Sequence, residues 1–178
     1  MIEQRLARLR AEMTRRGVDA VAVVPSANLF YLTGVQMHVS ERVTLLVVTR
    51  DAAHLIVPAL EAPRVEARAR VPLTLHAWSD AEWVKAGWAS LARHCALDGK
   101  HIALDYYSVR ALEWTQLQAA ARGAQFSDAS SLFDTLRMVK DAAEVDAMRR
   151  AARTLETSLD ALLNEVRVGK TEQELAAR

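Results

Sequence analysis

The feature that most constrains the fold is a helical pattern that leads directly into an apolar run. Apolar residues recur at helical spacing among charged ones at Ile2, Leu6, Leu9 and Met13, which predicts a helix with one buried face. Gly17 then supplies a residue suited to a left-handed helix end. The run 18–24, apolar apart from Asp19, stops at Pro25 and predicts a buried strand. A helix, a glycine and a buried strand indicate an α/β fold.

Strands and helices continue to alternate over the rest of the first 135 residues. The runs 43–49 and 54–57 are joined by a short polar segment, the spacing of a hairpin, so the sheet is predicted to be mixed. A polar loop is predicted at 35–42. The other predicted elements are strands at 71–77, 101–105 and 125–129, and helices at 28–32 (capped by Ser26), 60–68, 80–94 and 108–123 (capped by Ser108).

The character of the sequence changes at Asp141. Asp141 and Glu144 form a capping box, and an apolar stripe then predicts one long helix that ends near 167–169. Thr171 and Glu174 form a second capping box close to the last residue. We therefore predict two domains, 1–135 and 136–178, and expect the second to be the truncated start of a further domain.

Composition argues against several classes of partner. The 23 Lys and Arg residues nearly balance the 22 Asp and Glu residues, so neither nucleic acid nor a membrane is expected to bind. Cys95 is the single cysteine, which excludes an internal disulfide and a multi-cysteine zinc site. The start lacks a signal-peptide pattern, and no run approaches the roughly 20 apolar residues of a membrane span. These features predict a cytoplasmic protein.

Several catalytic motifs are missing from the sequence. The glycines are too far apart for a dinucleotide fingerprint or a P-loop, and neither G-x-S-x-G nor H-E-x-x-H occurs. The histidines do not have metal-ligand spacing, and His54, His76 and His101 are predicted to be structural. We accordingly predict no catalytic residue and no metal ligand in this chain.

His38 differs from the other histidines because it lies in the polar loop, close to Glu41 and Arg42. Loops held by a rigid scaffold carry binding and catalytic residues disproportionately. The alternative is a solvated loop histidine with a local contact between Glu41 and Arg42. Both interpretations stay open at the level of sequence.

Two segments together resemble one family. Residues 5–34 contain Gly17-Val18-Asp19-Ala20, Pro25-Ser26-Ala27-Asn28 and Tyr31-Leu32-Thr33-Gly34, and residues 136–172 contain Leu136-Arg137-Met138-Val139-Lys140-Asp141 and Val168-Gly169-Lys170-Thr171-Glu172. Both are similar to the creatinase/prolidase family, at the start of its amino-terminal domain and at the junction with its catalytic domain. The resemblance implies a ribonuclease-H-like, three-layer α/β fold with a mixed sheet, followed by one long helix of a pita-bread metallopeptidase domain.

The resemblance also implies a function for the whole protein. It suggests an Xaa-Pro dipeptidase or aminopeptidase that acts on short proline-containing peptides, forms a homodimer and uses two divalent metal ions (Mn, Co or Zn). Their ligands, two Asp, one His and two Glu, would lie beyond this chain, in which no histidine follows His101. Its own part would be non-catalytic, in dimerisation and in capping of the active site through His38, Glu41 and Arg42. The alternatives are a creatinase-like amidinohydrolase and a non-catalytic binding or scaffold protein.

Overall fold

A computed structural model describes residues 2–177. Helices and strands alternate through most of this range. In chain order they are α1 (Ile2–Arg15), β1 (Ala20–Val23), α2 (Ala27–Thr33), β2 (Leu45–Thr49), β3 (Ala53–Pro58), α3 (Ala62–Arg68), β4 (Thr74–Trp78), α4 (Lys85–His94), β5 (His101–Leu104), α5 (Ala111–Ala120), β6 (Gln125–Asp128), α6 (Ser130–Arg137), α7 (Ala142–Leu163) and α8 (Glu172–Ala176).

The strands form one six-stranded sheet in the order β4-β3-β2-β1-β5-β6. The central strand β1 is antiparallel to β2 and parallel to β5. β2 and β3 form the predicted antiparallel hairpin, whereas β3 pairs with β4 and β5 with β6 in parallel. The predicted α/β class, the mixed sheet and the long helix near the end of the chain are therefore confirmed.

Side chains on the two faces of the sheet enter separate cores. Val21 and Val23 point into one core, which also contains residues of α1, α2, α3 and α6. Ala20 and Ala22, the alternate positions on the same strand, enter the other core with residues of α4 and α5. Because successive strand residues face opposite ways, β1 needs to be apolar at every position. The burial of both faces of β1 explains the continuous apolar run in the sequence.

Several elements depart from the sequence prediction. α4 begins at Lys85, not near residue 80, because a turn precedes it in which Trp83 has a left-handed backbone (φ 56). α5 begins at Ala111, with Arg110 in the N-cap position, and Ser108 lies before it in a turn in which its N–H donates to the carbonyl of Asp105. α6 was not predicted at all.

Contacts divide the chain into two compact units, 1–136 and 137–178. In the second unit, Asp141 caps α7 through the N–H of Glu144 at 2.8 Å, and the Glu144 carboxylate accepts from the N–H of Asp141 at 2.9 Å. Thr171 caps α8 in the same way. The long helix α7 ends at Leu163, several residues before the predicted end. No helix within residues 2–177 is long and apolar enough to cross a membrane.

Candidate functional site

The candidate site is the loop of residues 35–44, which follows α2. Ser26 starts α2 by accepting hydrogen bonds from the N–H groups of Asn28 and Leu29. Gly34 ends it in a left-handed conformation (φ 77), with its N–H bonded to the carbonyl of Phe30 at 2.8 Å. Only glycine adopts this conformation without a steric penalty. These signals at both ends keep α2 to two turns and place the loop just beyond the carboxyl end of β1.

An ion pair holds the second half of this loop. The guanidinium of Arg42 donates from Nε and Nη2 to the two carboxylate oxygens of Asp80, at 3.1 and 2.8 Å. The hydrogen bond and the charge of Arg42 lower the pKa of Asp80, and those of Asp80 raise the pKa of Arg42. A bidentate pair fixes orientation as well as distance. Arg42 therefore ties the loop to the segment that follows β4.

A second arginine holds the middle of the loop. Nη1 of Arg110 donates to the carbonyl of Ser40 at 2.5 Å. The same guanidinium forms an ion pair with Glu113, whose side chain is 1% exposed. Arg110 thus connects the loop to the amino-terminal end of α5. With these two anchors the loop has a defined conformation although it contains no regular secondary structure.

His38 lies on the outer side of the loop. It is exposed, and its ring has no hydrogen bond to another group in the described part of the chain. With Phe30 and Val39, which are 50% and 47% exposed, it lines a shallow depression of about 410 Å³. The remaining lining residues are Pro25, Ser26, Ala27, Gln36 and Met37. An unpartnered imidazole beside exposed apolar side chains can bind both the polar and the apolar parts of a ligand.

The three candidate residues therefore have different environments. Glu41 is exposed, and the distance between its Oε1 and Nη1 of Arg42 is 3.3 Å, which is the local contact considered as the alternative role. Arg42 is engaged by Asp80, and neither Glu41 nor Arg42 lines the depression. Of the three, only His38 presents a side chain without a polar partner to it.

A carboxylate that the sequence did not single out holds Ser26, one of the residues that line the depression. Asp105, 4% exposed, follows β5 and accepts hydrogen bonds at Oδ2 from Asn28 Nδ2 (3.0 Å) and Ser26 Oγ (3.3 Å). It connects the carboxyl end of β5 to the start of α2. Phe30 was also missed, because in the sequence it belongs to an apolar run that resembles core.

Within residues 2–177, no group of three or more His, Cys, Asp or Glu side chains could hold a metal ion. The residues described here thus do not fit a two-metal centre. Any metal chemistry of a longer protein would need ligands from another part of it.

Comparisons with known proteins decide the family. Residues 5–139 match the family model described as the creatinase/prolidase N-terminal domain. The chain belongs to the creatinase/prolidase family. Creatinase/prolidase relatives include an Xaa-Pro dipeptidase of Pyrococcus horikoshii, 24% identical over 93% of this chain and 43% of the relative. A protein named "Probable dipeptidase PepE" in Mycobacterium tuberculosis is 30% identical over 98% of this chain and 46% of the relative.

Solved structures of the family agree with these matches. The dipeptidase PepE of Mycobacterium ulcerans superposes with a TM-score of 0.81 at 26% identity, over 99% of this chain and 47% of that one. A dipeptidase of Pyrococcus horikoshii has a TM-score of 0.81 at 28% identity, over 97% of this chain and 47% of that one. The chain spans about half the length of these relatives.

Proposed function

We propose that this creatinase/prolidase N-terminal domain is the non-catalytic domain of an Xaa-Pro dipeptidase or aminopeptidase, and that it serves dimerisation and active-site capping. The dipeptidase names of its relatives support the enzyme class. The substrate would be a short proline-containing peptide. Two divalent metal ions, Mn, Co or Zn, would be held by the remaining half of such a protein and would supply an activated water and Lewis-acid stabilisation.

The observation that carries the capping role is the contrast between the two sides of the 35–44 loop. Its inner side is held by Arg42 on Asp80 and by Arg110 on the Ser40 carbonyl. Its outer side leaves His38 and Val39 exposed. A surface that limits substrate length has to be held in position and still present groups that can contact the substrate. The 35–44 loop combines both properties.

The three candidate residues take separate roles in this proposal. His38 contacts the substrate or the rim of the active site, since its ring nitrogens are available as donor and acceptor. Arg42 is a positioning residue, because its fork of donors is already occupied by Asp80. Glu41 is solvated at 78% side-chain exposure and assists Arg42.

The test uses the protein expressed from the complete reading frame that contains this sequence, loaded with Mn²⁺, Co²⁺ or Zn²⁺. Hydrolysis of Xaa-Pro dipeptides and of longer proline peptides is measured for wild type, His38→Ala and the matched loop variant Glu41→Ala. We expect His38→Ala to raise KM for dipeptides and relax the length limit, with Glu41→Ala close to wild type. Sedimentation of the same proteins is expected to show a dimer.

Other outcomes would replace the proposal. Hydrolysis of creatine without added metal, and no peptidase activity, would support a creatinase-like amidinohydrolase. Absence of both activities would support a binding or scaffold protein. Unchanged specificity in His38→Ala, in a protein that is monomeric, would remove both the capping and the dimerisation role.

A further inference from the structure

Two histidines lie side by side in the core that is covered by α4. His54 is on β3 and His76 on the neighbouring strand β4, with exposed fractions of 4% and 1%. Nδ1 of His54 is 3.2 Å from Nε2 of His76, and the ring centroids are 5.3 Å apart in a stacked arrangement. One hydrogen bond thus joins two titratable rings in an interior position.

Helix α4 is attached to the sheet at this same point. Ser90 Oγ of α4 lies 2.9 Å from Nδ1 of His76. Three residues earlier, Gly87 approaches the sheet so closely that a Cβ there would lie 3.0 Å from Ile56 and 3.3 Å from the carbonyl oxygen of His76. The contact between α4 and the sheet therefore includes the chain of hydrogen bonds from Ser90 through His76 to His54.

The number of protons decides whether this chain of bonds can exist. When both rings are neutral, one N–H lies between the facing nitrogens. With one added proton, His76 can still donate from Nε2 to His54 and from Nδ1 to the hydroxyl oxygen of Ser90. With a second added proton, both facing nitrogens carry hydrogen, so the bond is lost and two cations face each other. The pair accepts one proton within its bonds and not two.

The surroundings do not compensate for positive charge. Arg93 and His94 of α4 are the charged or titratable neighbours that act on His76 besides His54, and both are basic. Burial above all, followed by His54 and then by His94 and Arg93, lowers the pKa of His76 to about 4, and burial followed by His94 lowers that of His54. Within residues 2–177 no carboxylate hydrogen-bonds to either ring.

Protons can nevertheless reach the pair. Nε2 of His54 has no hydrogen-bond partner, although every buried side-chain nitrogen or oxygen in the described range has one, so this atom contacts solvent. His54 lines a depression of about 440 Å³ whose charged rim consists of Asp19, Arg50, Asp51 and Lys100. Asp19 is itself held by Arg50 and by the N–H of His101. This depression gives solvent protons access to the interior pair.

We propose that the His54–His76 pair is an acid-sensitive conformational switch, which holds α4 on the sheet while the rings carry at most one added proton and releases α4 when a second is bound. Release exposes Trp88 and Leu91, which α4 contributes to the core. The switch belongs to this domain alone and does not depend on the proposed enzymatic role.

Hydrogen exchange of the 178-residue chain tests the proposal, with protection factors measured for α4 and α1 between about pH 7 and about pH 4. We expect the protection factors of α4 to fall by up to about tenfold per pH unit for each proton that the histidine pair takes up when α4 is released. Those of α1 are expected to stay high. His54→Gln, which leaves one titratable ring, is expected to reduce this dependence. The control is His38→Gln, because the ring of His38 does not contact the pair. This variant is expected to follow wild type.

Two results would overturn the switch. The first is α4 protection that does not change with pH in wild type, or that changes equally in wild type and His54→Gln. The second comes from NMR titration of the imidazole C–H groups in wild type, which decides the matter even if His54→Gln fails to fold. If both rings of the pair become fully charged near their ordinary pKa of about 6.5 while α4 remains protected, the proposal is wrong.

Discussion

Arg110 and Glu113 form an ion pair in which the carboxylate is 1% exposed while the guanidinium also donates to the carbonyl of Ser40. One turn of α5 thus neutralises a buried charge and holds the loop that carries His38. The pair connects the stability of the domain to the geometry of its candidate site.

Replacing Arg110 is therefore expected to affect both properties. Arg110→Met leaves the Glu113 carboxylate buried without its partner, which costs about 2 to 4 kcal/mol of unfolding free energy, slightly less than for a fully buried pair because the guanidinium is partly exposed. Urea unfolding measures this loss. The control Arg149→Met removes a pair with Asp146 in which both side chains are more than 60% exposed, and no measurable change is expected there. Equal effects of the two substitutions would contradict this assignment.

Asp80→Asn is expected to loosen the 35–44 loop with little effect on global stability. The substitution removes the charge of Asp80 and one of the two acceptors in its bidentate contact with Arg42. Both side chains of this contact are partly exposed to solvent. Because the pKa of Asp80 is lowered, wild type keeps this contact at neutral pH and loses it only as pH falls through that lowered value. Faster hydrogen exchange in residues 35–44 at neutral pH, with an unchanged Tm, is the expected result. Glu41→Gln serves as the control, and an equally fast loop in that variant would count against Asp80 as the anchor.

Gly34 and Gly99 both have a positive φ, of 77° and 68°, but their surroundings differ. A Cβ at Gly34 would lie 3.1 Å from Arg70 Cγ and 3.2 Å from Ile2 Cδ1, whereas a Cβ at Gly99 meets nothing within 4 Å. Gly99→Ala should cost about 1 kcal/mol for the left-handed backbone alone. Gly34→Ala should cost about 1 kcal/mol more, because the neighbouring side chains have to move. Thermal unfolding of the two variants gives the comparison, and identical losses would exclude the packing contribution.

Tyr31 links α2 to the end of α6. Its hydroxyl donates to the carbonyl of Leu136 at 2.9 Å, and its side chain is buried. Tyr31→Phe is expected to lower the unfolding free energy by about 1 kcal/mol, since a buried hydrogen bond is lost without a change in shape. Tyr107, which is 92% exposed, provides the matched control, and Tyr107→Phe is expected to leave stability unchanged. Chemical denaturation measures the unfolding free energy of both variants. If Tyr31→Phe were as stable as wild type, the role of Tyr31 would be purely apolar.

Signals confined to a few neighbouring residues were sufficient for much of the fold. The stripe of α1, the apolar run of β1 and Ser26 at the start of α2 predicted these elements where the structure has them. Ser108 shows the limit of such signals. It is a good capping residue by type, yet Arg110 occupies the N-cap position of α5, where its N–H donates to the carboxylate of the buried Glu113.

Contacts between side chains far apart in the sequence could not be predicted from such local signals. The sequence singled out His38 and Arg42 in one loop, but the anchor Asp80 lies 38 residues from Arg42. His54 and His76, 22 residues apart, were expected to be structural and were not expected to be bonded to each other. Their proximity results from the parallel register of β3 and β4, in which His76 pairs with Ile56. A shift of that register by one residue would turn one ring to the other face.

The sequence by itself thus determined the α/β class, most of the helices and strands and the loop that carries the candidate residues, because apolar periodicity, caps and turn residues act over a few positions. Two of its segments also resembled the family that the comparisons showed. Only the tertiary structure decided which charges are paired, which of the three candidates remains available, and that two histidines share a hydrogen bond. The physical reason is that these contacts depend on strand register and helix docking, which bring together residues far apart in the chain.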